Sequence, residues 1–320
     1  MSRKTLRKVL AYDLGGTKIH VGVVNSDGQV LEAIRAPVAV AQGKKAVFEQ
    51  LARLGNHFLE KHPEIRRVGV ASAGPLDPKR GVLLDPTNLA KSADPKEAWG
   101  QVPLAKDLGK MLNRRVELEN DAAASILAEH WLGKARGYEN AMILTLGTGL
   151  GTGIIANGEL VRSGRCLHPE AGHIIIRAGD RSALCGCGNY GCAEAYLSGR
   201  NFARRNAPKL GRPELTGKEI TALARKRDRQ ALAAFDEYAE MMAAAVYSYT
   251  VIYCPEIIVF TGSFAAASPF FLPKVRKLLE PMMKRRREGI DLLPTLTVSS
   301  LRNKAGLLGG AFVALNDRNL

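Results

Sequence analysis

A strand, a glycine turn and a second strand folding back on the first occur twice in this 320-residue chain, and that repetition constrains its fold most. In the first copy the apolar run 9–13 ends at Asp13. The turn Leu14-Gly15-Gly16-Thr17 follows, then strand-like runs 19–24 and 29–35. In the second copy the run 141–146 leads into Gly147-Thr148-Gly149-Leu150-Gly151, and then the run 153–156. Asp27-Gly28 and Asn157-Gly158 close the next hairpins, because both central positions of a two-residue hairpin turn favour positive φ. A dinucleotide-binding unit would pass from its glycine loop straight into a long helix. An antiparallel meander after the loop predicts a different plan: two α/β lobes, each offering a phosphate-binding turn toward a shared cleft. The chain is long enough for two domains. The first lobe is expected over 1–119 together with the closing helix 305–320, and the second over 120–304.

Periodicity supplies the remaining elements. Val47, Leu51, Leu54 and Phe58 fall at helical spacing within 46–59. A buried strand is expected at 67–71, before the Gly74-Pro75 loop, a helix at 104–112 and a short strand at 116–118. Later helices are expected to about 206 and over 218–225, 230–249, 272–283 and 305–315, with a strand at 257–260. Gly306, Gly309 and Gly310 permit the last helix to pack closely. Hydrophobic residues make up 46% and charged residues 24%, the balance of a soluble globular protein. The formal charge of +15 raises nucleic acid as a partner. Its basic residues are scattered in short groups without interleaved aromatics, so nucleic acid is not expected. No long apolar run precedes Asp13, and neither a secretion signal nor a membrane span is expected. Three of the five cysteines cluster, which argues against a disulfide framework and for a reducing, cytoplasmic setting.

Four segments carry candidate chemistry. Asp13-Leu-Gly15-Gly16-Thr17-Lys18 sets an acid at a strand end before two glycines, a hydroxyl and an amine. Backbone amides in such a turn can approach phosphate oxygens, and Asp13 can hold a hydrated Mg²⁺. It is not a Walker loop. Gly147-Thr148-Gly149 repeats the phosphate-binding logic. In Glu119-Asn120-Asp121, Asn120 suits the N-cap of a helix over 122–132, and Asp121 falls in its first turn. Asp121 can serve as a general base or only satisfy helix amides. His173, Cys185, Cys187 and Cys192 form a complete sulfur and nitrogen set for structural zinc, with Gly186, Gly188 and Gly191 letting the loop turn tightly. The alternative is a metal-free or redox-active cluster. Glu170 and Glu194 flank that set, where they can accept sugar hydroxyls or hydrogen-bond the metal loop.

In this order, Asp13-Leu-Gly-Gly-Thr-Lys, Glu119-Asn-Asp-Ala, Gly147-Thr-Gly, Glu170-Ala-Gly-His and Cys185-Gly-Cys-Gly-Asn-Tyr-Gly-Cys-Ala-Glu194 resemble the ROK family of sugar kinases and repressors. The last motif is highly specific, and the first is shared across actin-like ATPases. The resemblance implies an α/β chain with two ribonuclease-H-like lobes flanking a central cleft and a zinc loop in the second. It implies ATP with Mg²⁺, a hexose substrate, Asp121 as the base and a homodimer. Gly74, Thr87, Asn88, Asn120, Glu170, His173 and Glu194 would meet sugar, and Gly262 and Ser263 the adenosine. The implied activity is phosphorylation of glucose to glucose 6-phosphate. Fructose, N-acetylmannosamine or N-acetylglucosamine are the alternative substrates. A sugar-responsive repressor is the alternative of another class, and the stretch before Asp13 is too short for its winged helix-turn-helix. This chain departs from the family at Thr152 and Thr261, where glycine is more usual.

Overall fold

The structure, a computed structural model, describes residues 6–86, 89, 98–162, 164, 167–284 and 289–316. The chain opens with strands β1 (Lys8–Leu14), β2 (Lys18–Asn25) and β3 (Val30–Pro37), followed by helix α1 (Gly43–Lys61) and β4 (Arg67–Ser72). Short strands β5 (Leu76–Asp77), β6 (Val82–Leu84) and β7 (Gln101–Val102) make a small sheet. Then come α2 (Leu104–Leu112), β8 (Arg115–Asn120) and α3 (Asp121–Leu132). The second part holds β9 (Ala141–Leu146), β10 (Leu150–Ala156), β11 (Glu159–Leu160), α4 (Ala193–Leu197), α5 (Gly199–Asn206), α6 (Gly217–Arg225) and α7 (Arg229–Tyr253). It ends with β12 (Ile257–Thr261), α8 (Leu272–Lys284) and β13 (Thr295–Val298), before the closing helix α9 (Ala305–Leu315).

These elements form two compact units. The first comprises Met1–Gly133, Arg162–His168 and Lys304–Leu320, and the second Lys134–Val161 and Pro169–Asn303. Their five-stranded sheets have the same plan, β3-β2-β1-β4-β8 and β11-β10-β9-β12-β13. In each, a three-stranded antiparallel meander is extended by two parallel strands. The repeated strand–glycine–strand pattern thus corresponds to a repeated sheet. The sequence punctuation put the junction near Glu119, whereas α3 stays with the first unit because it packs along α9.

In the first unit, α9 crosses β1 and β4 with almost every side buried. That position explains its composition. A helix flanked by a sheet and another helix has no polar face to keep. A Cβ on Gly69 of β4 would overlap the Gly310 carbonyl, and one on Gly309 would overlap the Ala124 carbonyl. Gly69→Ala should therefore lower stability by about 2–3 kcal/mol, the scale of core overpacking. Gly164→Ala, with nothing within 4 Å, is the control, and denaturant melts of both variants check the difference.

The β2–β3 turn differs from the expected two-residue form. Gly28 has φ 81°, while Asp27 is not among the positive-φ residues. The Gly28 amide donates to the Asn25 carbonyl, and Asn25 Oδ1 accepts from the Asp27 and Gln29 amides. The register shifts at Val23/Val24, so this is a bulged hairpin. At the β10–β11 turn Asn157 and Gly158 have φ 53° and 78°, as a two-residue turn requires.

The second unit's core centres on α7. Phe202, Phe235, Tyr238, Phe264 and Phe271 pack ring against ring beneath the sheet. Two buried hydroxyls leave this core to hold loops. Tyr238 donates to the Leu197 carbonyl and Tyr249 to the Ala171 carbonyl, each at 2.9 Å. Among the described residues no helix is long and apolar enough to cross a membrane.

Candidate active site

Strand register brings the first unit's candidates together. Asp13 pairs with Ala71, and Ala71 with Glu119, so Asp13 and the Glu119-Asn120-Asp121 segment lie at the same ends of β1 and β8. Ligands gather at the carboxyl ends of parallel strands in α/β sheets. Asp13 lies against Gly306 of α9, where a Cβ would overlap its carboxylate. Burial pushes Asp13 up to about 7, the nearby Asp121 charge adds to that, and Arg35 opposes it. Gly15, Gly16, Thr17 and Lys18 form the turn between β1 and β2. The Gly15 amide donates to the Lys18 carbonyl at 3.0 Å, and the Thr17 and Lys18 side chains are exposed.

Asn120 caps α3, its Oδ1 accepting from the Ala122 and Ala123 amides at 2.9 and 3.1 Å. Its Nδ2 faces Gly74, where a Cβ would lie 3.4 Å away. Asp121 is half-buried in the first turn, with one carboxylate oxygen 2.8 Å from the Ala122 amide. Behind it Glu119 is fully buried. Its carboxylate accepts from Arg162 at 2.6 and 3.4 Å and from the Asn120 amide at 2.9 Å. Sequence reading missed this forked pair, because 43 residues separate its partners. Thr87 and Asn88 lie outside the described residues.

The second unit gathers its candidates at two places. The first is a cavity of about 610 Å³, into whose wall Gly147, Thr148 and Ser263 all enter. Gly262 sits behind Ser263 with φ 89°, where a Cβ would overlap the Leu146 carbonyl. The cavity also takes Thr216, Gly217 and Lys218 at the start of α6 and Arg200 of α5. Those four were not legible as site residues. The Thr216 and Glu219 capping box, a signal readable in the sequence, marks the start of the helix that carries three of them.

The second place is the metal loop. One ligand atom from each of His173, Cys185, Cys187 and Cys192 lies within 4.8 Å of the others. Cys185 Sγ is 3.4 Å from His173 Nδ1, and Cys187 Sγ is 3.7 Å from Cys192 Sγ. A tetrahedral ion with bonds of about 2.3 Å to sulfur and about 2.0 Å to nitrogen would space its ligands at roughly 3.5–3.8 Å. The donor set therefore fits such an ion. Burial raises the Cys185 thiol, so a thiolate there needs a cation. Gly188 and Gly191 supply the positive φ of the loop, whereas Gly186 is not among the positive-φ residues. His173 lies at the end of a 3₁₀ turn, Ala171–His173. Its Nε2 is 4.0 Å from the carboxylate of exposed Glu170. Glu194 accepts from the Leu150 amide at 2.9 Å and from Cys185 Sγ at 3.4 Å. It thus ties the Gly147–Gly149 turn to the thiol cluster, and Gly149 leaves room for it, since a Cβ there would lie 2.6 Å from Glu194 Oε2.

The ROK family profile matches residues 9–317. This chain belongs to the ROK family. The twin sheets are those of ROK kinases, members of the actin-like ATPases with ribonuclease-H-like units. The chain is 32% identical over 320 residues to a glucokinase of Thermotoga maritima, covering 96% of each. It is 30% identical over 317 residues to an N-acetyl-D-glucosamine kinase of Escherichia coli O139:H28, covering 96% of this chain and 99% of that protein. The structure of a ROK glucokinase from Streptomyces griseus in complex with glucose and AMPPNP superposes with a TM-score of 0.79. That protein is 29% identical, with 96% of this chain and 99% of that one covered.

Proposed function

We propose that this ROK protein is an ATP-dependent hexokinase that phosphorylates glucose to glucose 6-phosphate. The observation that carries the reading is the convergence of Gly147, Thr148, Ser263 and Lys218 on one nucleotide-sized cavity in a chain with glucokinase relatives. Ser263 and Gly262 receive the adenosine. The amides of Gly147, Thr148 and Gly149 receive phosphate oxygens, and the family resemblance assigns phosphate binding to Gly15, Gly16, Thr17 and Lys18 as well. Asn120, Glu170, His173, Glu194 and the backbone at Gly74 hold the sugar, with Thr87 and Asn88 assigned by family resemblance. Asp121 takes the proton of the reacting hydroxyl as its oxygen attacks the γ-phosphorus and ADP departs.

Two ions complete the reading. Asp13 is the residue that would hold the hydration shell of a Mg²⁺ bound with the triphosphate, and such an ion would neutralise phosphate charge. Burial disfavours the ionised Asp13 carboxylate, and a cation beside it would offset that cost. His173, Cys185, Cys187 and Cys192 would hold structural Zn²⁺, and a closed four-ligand set leaves no position for substrate. A cluster of reduced thiols suits the cytoplasm. Tyr247, Val251 and Ile252, exposed on one side of α7, support a homodimer.

A second reading, an N-acetylhexosamine kinase, is favoured by the similarity to the Escherichia coli enzyme. A coupled assay with ATP and Mg²⁺ over glucose, fructose, mannose, N-acetylglucosamine and N-acetylmannosamine separates the two. Glucose should give the highest kcat/KM, by at least about tenfold, a factor within reach of a few hydroxyl contacts. A preference for either N-acetylated sugar would reject the glucose assignment, and no ADP release with any sugar would reject the kinase.

A further inference from the structure

Thr152 is a point where this chain departs from the pattern the family resemblance implies, and its hydroxyl is bonded to the Pro169–Ala171 segment. It is 2% exposed on β10, with its hydroxyl directed at the segment that carries Glu170. Thr152 Oγ1 donates to the Pro169 carbonyl at 2.9 Å and accepts from the Ala171 amide at 3.2 Å. One hydroxyl thus grips the chain on both sides of Glu170. The Ala171 carbonyl is taken by the buried Tyr249 hydroxyl at 2.9 Å, and the Glu170 carbonyl by the His173 amide at 2.9 Å. Gly172 lies so close to β10 that a Cβ would overlap the Leu150 carbonyl. The backbone around Glu170 is therefore fixed from two elements, although the Glu170 side chain itself is exposed. Glycine at position 152 could supply neither of the two side-chain bonds.

We infer that Thr152, assisted by Tyr249, is a positioning residue that sets sugar affinity and hydroxyl selectivity by fixing Glu170 against β10. A carboxylate on a fixed backbone is pre-organised for a hydroxyl, whereas a loose one must be ordered at the moment of binding. The inference rests on the reading of Glu170 as a sugar ligand. Because β10 starts at the Gly147–Gly149 turn, the same strand joins the nucleotide wall to the sugar carboxylate. The effect should still fall on the sugar alone, since Thr152 does not line the nucleotide cavity.

Steady-state constants for glucose, the monodeoxyglucoses and ATP, measured on Thr152→Val, Thr152→Ser, Tyr249→Phe and Glu170→Gln, test this. Thr152→Val keeps the shape and deletes both bonds. It should raise the glucose KM about tenfold and leave kcat and the ATP KM within about twofold, and Thr152→Ser should restore the glucose KM. Glu170→Gln should lose discrimination against one particular deoxyglucose, and Thr152→Val should weaken discrimination against that same sugar. An unchanged glucose KM in Thr152→Val, with a raised one in Glu170→Gln, would overturn the positioning role alone. An unchanged glucose KM in Glu170→Gln would end both that role and the sugar-ligand reading. Loss of kcat with a parallel rise in both KM values would assign Thr152 a purely structural part. Should Thr152→Val fail to fold, Tyr249→Phe decides. It deletes one oxygen, and a glucose KM equal to the parent's would overturn the inference.

Discussion

Asp121→Asn should lower kcat about a thousandfold while glucose still binds within about threefold of the parent affinity. Removing a positioned general base costs about 10²–10⁴ in rate. The substitution is clean because of where Asp121 sits. Its Oδ1 lies 2.8 Å from the Ala122 amide, and an asparagine oxygen can occupy the same place. The helix cap itself belongs to Asn120, which keeps both of its amide bonds. Replacing the charge at the start of α3 costs at most about 1 kcal/mol through the helix dipole. The upward shift of Asp13 should be relieved in part, since the Asp121 charge is one of the two influences that raise its pKa. Kinetics paired with calorimetric glucose titration make the measurement. Turnover within about tenfold of the parent would remove Asp121 from the role of base, and loss of glucose binding would make it a sugar ligand instead.

What the sequence made legible is what local spacing encodes. The glycine turns, the Asn157-Gly158 hairpin and the α1 stripe of Val47, Leu51, Leu54 and Phe58 are each determined by a few neighbouring residues, and each is found. The four metal-ligand candidates lie within twenty positions, so their meeting was readable as well. Long-range partnerships were not. Arg162 leaves the β10–β11 hairpin to pair with Glu119, and nothing near either residue announces the other. Lys218 reaches the proposed nucleotide cavity only because α6 packs beside α5. The β2–β3 turn was misread for a local reason. Asn25 Oδ1 competes for the turn amides and draws Gly28 alone into positive φ. Thr152 looked like a flaw in a phosphate loop until its hydroxyl was seen to bridge Pro169 and Ala171.

Purified protein should carry about one zinc per chain, and Cys187→Ser should reduce bound zinc several-fold and the glucose kcat/KM by about a hundredfold. The size follows from what the four-residue cluster supports. Glu170 stands 4.0 Å from the His173 ring, and the Glu194 carboxylate lies 3.4 Å from Cys185 Sγ, so both proposed sugar carboxylates sit directly beside prospective ligands. Cys187 is the exposed member, and its loss leaves buried Cys185 and Cys192 packed. The loop also retains bonds that need no metal, from the Cys185 amide to the Asn189 carbonyl and from the Ala193 amide to the Ile174 carbonyl. Zinc loss should therefore loosen the carboxylates without unfolding the unit. Most of the lining of the proposed nucleotide cavity comes from α5, α6 and the Ser263 segment, and only Gly147 and Thr148 belong to the turn that Glu194 holds, so nucleotide affinity should fall by much less than the glucose kcat/KM. Metal analysis, glucose kinetics and AMPPNP titration on one preparation separate these effects, and chelation of the parent should reproduce the variant. Metal-free protein with full glucose turnover would reduce the cluster to a packed set of thiols. An equal loss of nucleotide and sugar binding would mean that the ion holds the whole unit and not the sugar side alone.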